Sequence, residues 1–166
     1  MRQDMTEKHD ELFQRRPAFA GQIGVSRWDI TPPDDIYARC WGAADHDFAE
    51  GIHQPLTGTA LAFGREGDPR VRVIVSLELM VWRSRPESKA FREAVCAASG
   101  LREEDLIVHL THTHAAPVIG RDLDEPYRPE QTRAYVDELQ RKCIEGVNTA
   151  LAHREPATLV VDRGLC

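Results

Sequence analysis

Lysine is scarce in this chain: Lys8, Lys89 and Lys142 stand apart, and the arginines are scattered rather than striped. A nucleic-acid backbone demands a concentrated basic patch, usually interleaved with aromatics. Neither is present, and the net charge is −6, so nucleic acid is excluded as a partner. No apolar run approaches the ~18 residues of a membrane span. Met1 to Pro17 is charged throughout and lacks an apolar h-region, so it does not read as a secretory signal. The cysteines at 40, 96, 143 and 166 form no Cys-x-x-Cys pair. Cys96 and Cys143 fall beside apolar neighbours in helical patterns, where a reduced buried thiol is the ordinary state. Together these absences predict a cytoplasmic, reducing setting. Repeats and low-complexity tracts are missing too.

What is present is the composition of a globular chain, 42% hydrophobic and 29% charged. Its 166 residues suffice for one domain or part of one. Residues 1–20 read as a polar N-terminal arm, frayed or briefly helical. Gly21–Ile30 reads as a strand, closed by Thr31-Pro32-Pro33, because two successive prolines force an extended exit. Residues 34–56 are rich in Gly, His, Asp and aromatics without a period, which predicts a long loop. Thr57–Phe63 and Arg70–Leu79 read as a hairpin around the breakers Gly64 to Pro69. Ser84, Pro86 and Glu87 have helix-start chemistry, and a helix from Pro86 to about Ala98 would face Phe91, Val95 and Ala98 inward before Gly100 ends it. A short apolar strand over Asp105–Leu110 follows. Residues 129–152 then repeat Tyr135, Leu139, Ile144, Val147 and Leu151 at helical spacing, with Glu130 near the start. Glu155-Pro156 breaks that helix, and Ala157–Val161 opens another strand. The order predicts an α+β fold, a mixed sheet with flanking helices.

The segment with most chemistry is Leu110-Thr111-His112-Thr113-His114-Ala115-Ala116-Pro117. Side chains two apart on a strand share a face, so His112 and His114 are placed to converge on one Zn²⁺, whose nitrogen ligands sit at about 2.0–2.1 Å. Pro117 and the small alanines open the strand end into a loop, a common location for chemistry. His-x-His also arises on exposed strands with no function attached. His53, in a loop after Glu50-Gly51, reads either as a loop histidine bonding nearby backbone or as a pocket-wall residue. Glu78 interrupts an apolar strand, and a carboxylate there is costly to bury unless paired; it either faces a cavity or meets an arginine, which makes it a second substrate-pocket candidate. Asp29 fits an Asx-type turn, and His46 between Asp45 and Asp47 fits a solvated loop. His109 is out of phase with the pair, and Trp28, Trp41 and Trp82 read as core or pocket lining.

Three segments resemble, in order, the start of the neutral/alkaline (non-lysosomal) ceramidase family. Gly24-Val25-Ser26-Arg27-Trp28-Asp29-Ile30-Thr31 is similar to its opening Gly-Val-(small)-Arg-x-Asp-Ile-Thr strand. Gly51-Ile52-His53-Gln54-Pro55-Leu56, followed by Thr59-Ala60-Leu61-Ala62-Phe63, is similar to its Gly-Ile-His-x-x-Leu segment and the strand after it. Thr111-His112-Thr113-His114-Ala115-Ala116-Pro117 is the counterpart of a Thr-His-Thr-His-Ser-Gly-Pro block, departing from it at Ala115-Ala116. The resemblance implies the N-terminal portion, residues 21–166, of a layered α/β catalytic domain in a much longer enzyme. It also implies a Zn²⁺-dependent amidase that cleaves ceramide to sphingosine and a fatty acid. His112 is then the direct zinc ligand, and His114 a second ligand or a catalytic group beside it. The remaining ligands (His, Glu and Tyr) and a reactive Ser would lie downstream. A ceramide-like lipid is the implied substrate; another N-acyl substrate and a catalytically silent fragment stay open. Strands lacking partners would leave edges through which the chain self-associates.

Overall fold

A computed structural model of the chain describes residues 16–124 and 127–161. Strand β1 runs Arg16–Asp29, β2 Thr57–Gly64, β3 Arg72–Leu77, β4 Val81–Trp82, β5 Leu106–Leu110, β6 Val118–Ile119 and β7 Glu155–Val161; helix α1 runs Arg85–Ser99 and α2 Pro129–Ala152. The main sheet has the order β5-β3-β2-β1-β7. β1 to β3 form an antiparallel meander, β7 returns antiparallel along β1, and β5 joins β3 in parallel through α1. This is the mixed α+β arrangement the residue pattern predicts. Most of the expected arm, residues 1–15, lies outside the described residues. The strand expected from Gly21 already begins at Arg16, where Pro17 pairs across to Val160 on β7. β4 and β6 form a separate parallel pair of two residues each. Strands that short have no periodicity to read.

Alternation along the strands sends one set of side chains under the helices. Ala60 and Ala62 of β2, Val73, Val75 and Leu77 of β3 and Leu106 of β5 are buried, and register puts them on one face with Gly24, Ser26 and Trp28 of β1. The opposite face is bare: Val25 is 61% and Ile107 59% exposed. Helix α1 starts on Ser84, whose hydroxyl accepts the Glu87 N–H, and ends at Gly100 in the left-handed conformation. Its buried residues are Phe91, Val95 and Cys96. Ala98, expected inward, is exposed, because the buried stripe runs from Phe91 through Val95 to Cys96 and Ala98 lies just outside its Phe91 edge. Tyr135, Leu139 and Val147 of α2 are buried as its spacing predicts, joined by Val136, Cys143 and Ala150. Burial pushes the Cys143 thiol up to about 12.

Close approach of α2 to the sheet depends on glycines. A Cβ on Gly146 or on Gly58 would overlap the Trp28 indole, and one on Gly24 would overlap the Ala150 carbonyl. Ser26 Oγ donates to Gly146 O at 2.6 Å. Further along α2, the Tyr135 hydroxyl donates to Ile30 O at 2.6 Å and Lys142 Nζ to Asp29 O at 3.0 Å. The helix thereby holds the end of β1 where residues 30–56 depart. Asp29 Oδ1 accepts the Thr31 N–H at 2.7 Å, closing the Asx-type turn. At the α1 end, the Glu87 carboxylate accepts the backbone N–H groups of Arg121 and Asp122, fastening the segment after β6.

Asp105, buried at the start of β5, bonds Arg70 Nε at 2.6 Å and Arg102 Nε at 2.8 Å. Burial is the largest single influence on its carboxyl and acts upward. Hydrogen bonds and charge from Arg70 and Arg102 outweigh it and hold the carboxyl below the usual range. Hydrogen bonds from Thr31 do the same for Asp29.

Two outcomes are expected. Alanine in place of Gly146 gains about 1 kcal/mol of helix propensity, but overpacking against Trp28 costs ~1–3 kcal/mol, so G146A should melt lower than the parent. A higher melting temperature would show that the Trp28 contact is loose. Because Asp105 and Asp29 have depressed folded-state pKa values, their stabilisation is complete above the unfolded value of ~4 and drains away as pH falls through the folded values. Urea unfolding from pH 7 to pH 2.5 should therefore show a shallower acid loss in D105N than in the parent, and equal slopes would remove Asp105 from the acid transition.

Candidate functional site

The C-terminal ends of β3 and β5 lie side by side, and their pairing extends past both strands. Thr111 N–H donates to Leu77 O at 3.0 Å and His112 N–H to Leu79 O at 2.9 Å. The sequence expectation put His112 and His114 on the pleat of the strand, but β5 ends at Leu110 and the pair follows in a turn. His112 has φ +64°, in the left-handed region that a non-glycine residue enters only when its surroundings hold it there. Two bonds hold it: the N–H to Leu79, and the ring contact of Nδ1 with Met80 O at 3.1 Å. Of the two states of a ring nitrogen only the N–H can bond a carbonyl, so this contact puts the proton on Nδ1 and, in the neutral ring, leaves Nε2 with its lone pair free.

The two imidazoles meet edge to face, with ring centroids 5.2 Å apart. The turn, not strand alternation, brings them together. The indole of Trp41 lies 4.8 Å from the His114 ring and is itself 57% exposed, so it is neither core nor buried lining. Beside it the Cys40 thiol donates to Ala116 O at 3.3 Å. Burial raises the Cys40 thiol above its ordinary value, which keeps it a donor. Residues 40 and 41 thus secure the long loop onto the histidine turn. Sequence reasoning missed this contact, since no pattern links Cys40 to a carbonyl at Ala116.

Across the turn lies a cavity of about 420 Å³ between the 31–56 loop and the strand ends. His53 and Glu78 both line it, together with Thr111, Thr113 and Ala115 of the turn. His112 and His114 are not among its lining residues. The structure therefore puts His53 and Glu78 on the wall of one cavity and His112 against His114, and the two imidazoles do not line that cavity. Glu78 lines this cavity and pairs with no arginine among the described residues. Its Oε2 accepts the Thr57 N–H at 2.6 Å and the Thr57 hydroxyl at 2.8 Å, while Thr57 O accepts the Glu78 N–H at 3.0 Å. Thr57 was invisible as a partner from sequence, because a threonine opening a strand has an ordinary strand role. His46 bonds Asp45 in an exposed loop, and His109 points to the bare face beside Ser76.

A zinc ion takes four ligands, of which a catalytic site keeps one open. The imidazole pair offers suitable nitrogen donors, one with its tautomer set by Met80. Among the described residues, however, no three His, Cys, Asp or Glu side chains cluster so as to hold a metal ion. The pair by itself falls short of a full donor set. Among the described residues, too, no helix is long and apolar enough to cross a membrane.

Comparison with protein-family models gives no match, and comparison with curated proteins gives none. Solved structures do match. The neutral ceramidase of Pseudomonas aeruginosa superposes with a TM-score of 0.59 at 19% identity, over 81% of this chain and 22% of that one. A ceramidase complexed with C2 superposes with a TM-score of 0.50 at the same 19% identity and the same coverage. The chain thus spans 22% of the length of the ceramidase chains it matches. At this identity the likeness establishes the fold, and the described part of the chain has a ceramidase-like one.

Proposed function

We propose that this chain carries part of the active region of a zinc-dependent amide hydrolase that cleaves N-acyl lipids of the ceramide type to a long-chain amino alcohol and a fatty acid. The observation that supports this reading best is the meeting of His112 and His114 at the end of the parallel β3–β5 pair, in a fold shared with a neutral ceramidase. In this reading His112 offers Nε2 to the metal, and His114 serves as second ligand or as the catalytic group beside it. The ion, when bound, would polarise the amide carbonyl and lower the pKa of a bound water. Donors beyond the described residues must complete its shell. A different N-acyl substrate is favoured by one feature: Ala115 lines the cavity where the resembling family block has serine, so that wall presents a methyl in place of a hydroxyl.

Zinc titration of ¹⁵N-labelled protein, read on the imidazole resonances, tests the metal assignment. His112 and His114 signals should move together, and H112N should weaken binding about tenfold or more. Asparagine is the informative replacement, since it tolerates the left-handed backbone. Unchanged affinity in both H112N and H114N would sink the assignment. The 166-residue chain alone should not turn over a fluorogenic ceramide, because among the described residues no three metal-ligating side chains cluster; measurable hydrolysis by the purified chain contradicts that. The bare sheet face and the β5 edge should also make the isolated chain self-associate, and I107K should reduce the association seen by sedimentation velocity. A strictly monomeric parent would rule this out.

A further inference from the structure

The cavity beside the histidine turn has a charge pattern that sorts amines from acids. Ile36, Ile52, Leu56 and Pro117 make its walls apolar, and its charged lining groups, Asp34 and Glu78, are both carboxylates. Among the described residues no lysine or arginine lines it, and its one imidazole is His53. Its size, about 420 Å³, falls within the roughly 300–1,000 Å³ of small-molecule sites. Glu78 is fixed in place: Thr57 supplies two hydrogen bonds, and Arg27 Nη2 in turn donates to Thr57 Oγ1 at 3.2 Å. Both Thr57 bonds end on Oε2, so Oε1 is left with no hydrogen-bond partner among the described residues. Arg27 braces the threonine without lining the cavity. A half-buried carboxylate that has no ion-pair partner among the described residues attracts a cation and repels an anion more strongly than it would in open water.

We propose that this cavity is a subsite for a long-chain primary ammonium: Glu78 takes the ammonium head, the apolar walls take the chain, and fatty carboxylates are turned away. Assigning it to the amine half of the substrate rests on the hydrolase reading above, whereas the binding itself needs neither metal nor turnover. Hydrolysis of an N-acyl amine adds one water across the C–N bond; the acid leaves as a carboxylate and the nitrogen takes up protons to become an ammonium. The two products therefore carry opposite charges, and only one of them suits a cavity whose charged groups are both acidic. Thr111, Thr113 and Ala115 belong to the turn that bears His112 and His114, so a chain seated here touches the turn that carries the imidazole pair. A further consequence is that the amine product, once charged, binds more tightly than the neutral amide it came from.

The test is binding of octylammonium, octanol and octanoate to the 166-residue chain, followed by backbone amide shifts. Octylammonium should bind about tenfold more tightly than octanol, a difference of ~1.4 kcal/mol, and octanoate should bind more weakly than either. The shifts should centre on Thr57, Glu78 and Thr111–Ala115. E78Q should bring octylammonium down to the octanol level. If E78Q fails to fold, A115F provides the second variant: filling the cavity should weaken octylammonium and octanol alike. Equal or tighter binding of octanoate, parity of ammonium with alcohol in the parent, or shifts confined to another surface would each overturn the proposal. Amine preference without zinc binding at the pair would refute only the hydrolase reading. Zinc binding with octanoate preferred would refute only this subsite.

Discussion

The packing of Trp28 between Gly58 and Gly146 is the contact on which the rest of the structure depends. An indole held between two residues that lack side chains lets helix α2 lie against β1 far more closely than ordinary side chains would permit. The Ser26 hydroxyl bonds the Gly146 carbonyl within the same contact, so a polar group that would otherwise be stranded under the helix has a partner. The indole N–H, sealed against Gly58, has no acceptor among the described residues. An unmet donor of this kind costs about 1–3 kcal/mol, which burial of so large a ring offsets.

That packing carries through to the site. With α2 pinned along β1, the Tyr135 hydroxyl and the Lys142 ammonium reach the carbonyls of Ile30 and Asp29, which fixes where the chain leaves the sheet. From there residues 30–56 arch over the ends of β2, β3 and β5 and return at Leu56, whose N–H donates to the Thr31 hydroxyl. The arch and the strand ends enclose the cavity, while Cys40 and Trp41 secure the arch to the histidine turn. A long segment without regular structure is thus held at its departure, at its tip and at its return. A cavity can persist beneath such a segment because its walls are tied to rigid elements.

Much of the fold was legible in the residues because it is local. The cap at Ser84 and the left-handed stop at Gly100 are encoded within one turn of the helix they bound. The hairpin of β2 and β3 follows from a cluster of turn formers between two apolar runs. Periodicity found α2 with its start and end. The expected inward position of Ala98 failed because a small residue on a short helix does not define the edge of an apolar stripe. The first strand was placed late because Pro17 demotes Arg16 to Ala20 as a strand, and the strand character of that stretch comes from pairing with β7.

The candidate site divides the same way. Sequence alone determined that His112 and His114 would be close, since residues two apart cannot be distant, and that Glu78 would need an answer for its charge. Tertiary structure decided the rest. It moved the imidazoles off the pleat and into a turn where His112 takes a left-handed backbone. It answered Glu78 with Thr57 instead of an arginine, and it put His53 and Glu78 on a wall that the two imidazoles do not share. The reason is one of range: a cap, a turn or a helical stripe is settled among neighbours within a few residues, whereas a cavity forms where segments far apart in the chain are brought to the same strand ends by the packing of a helix elsewhere.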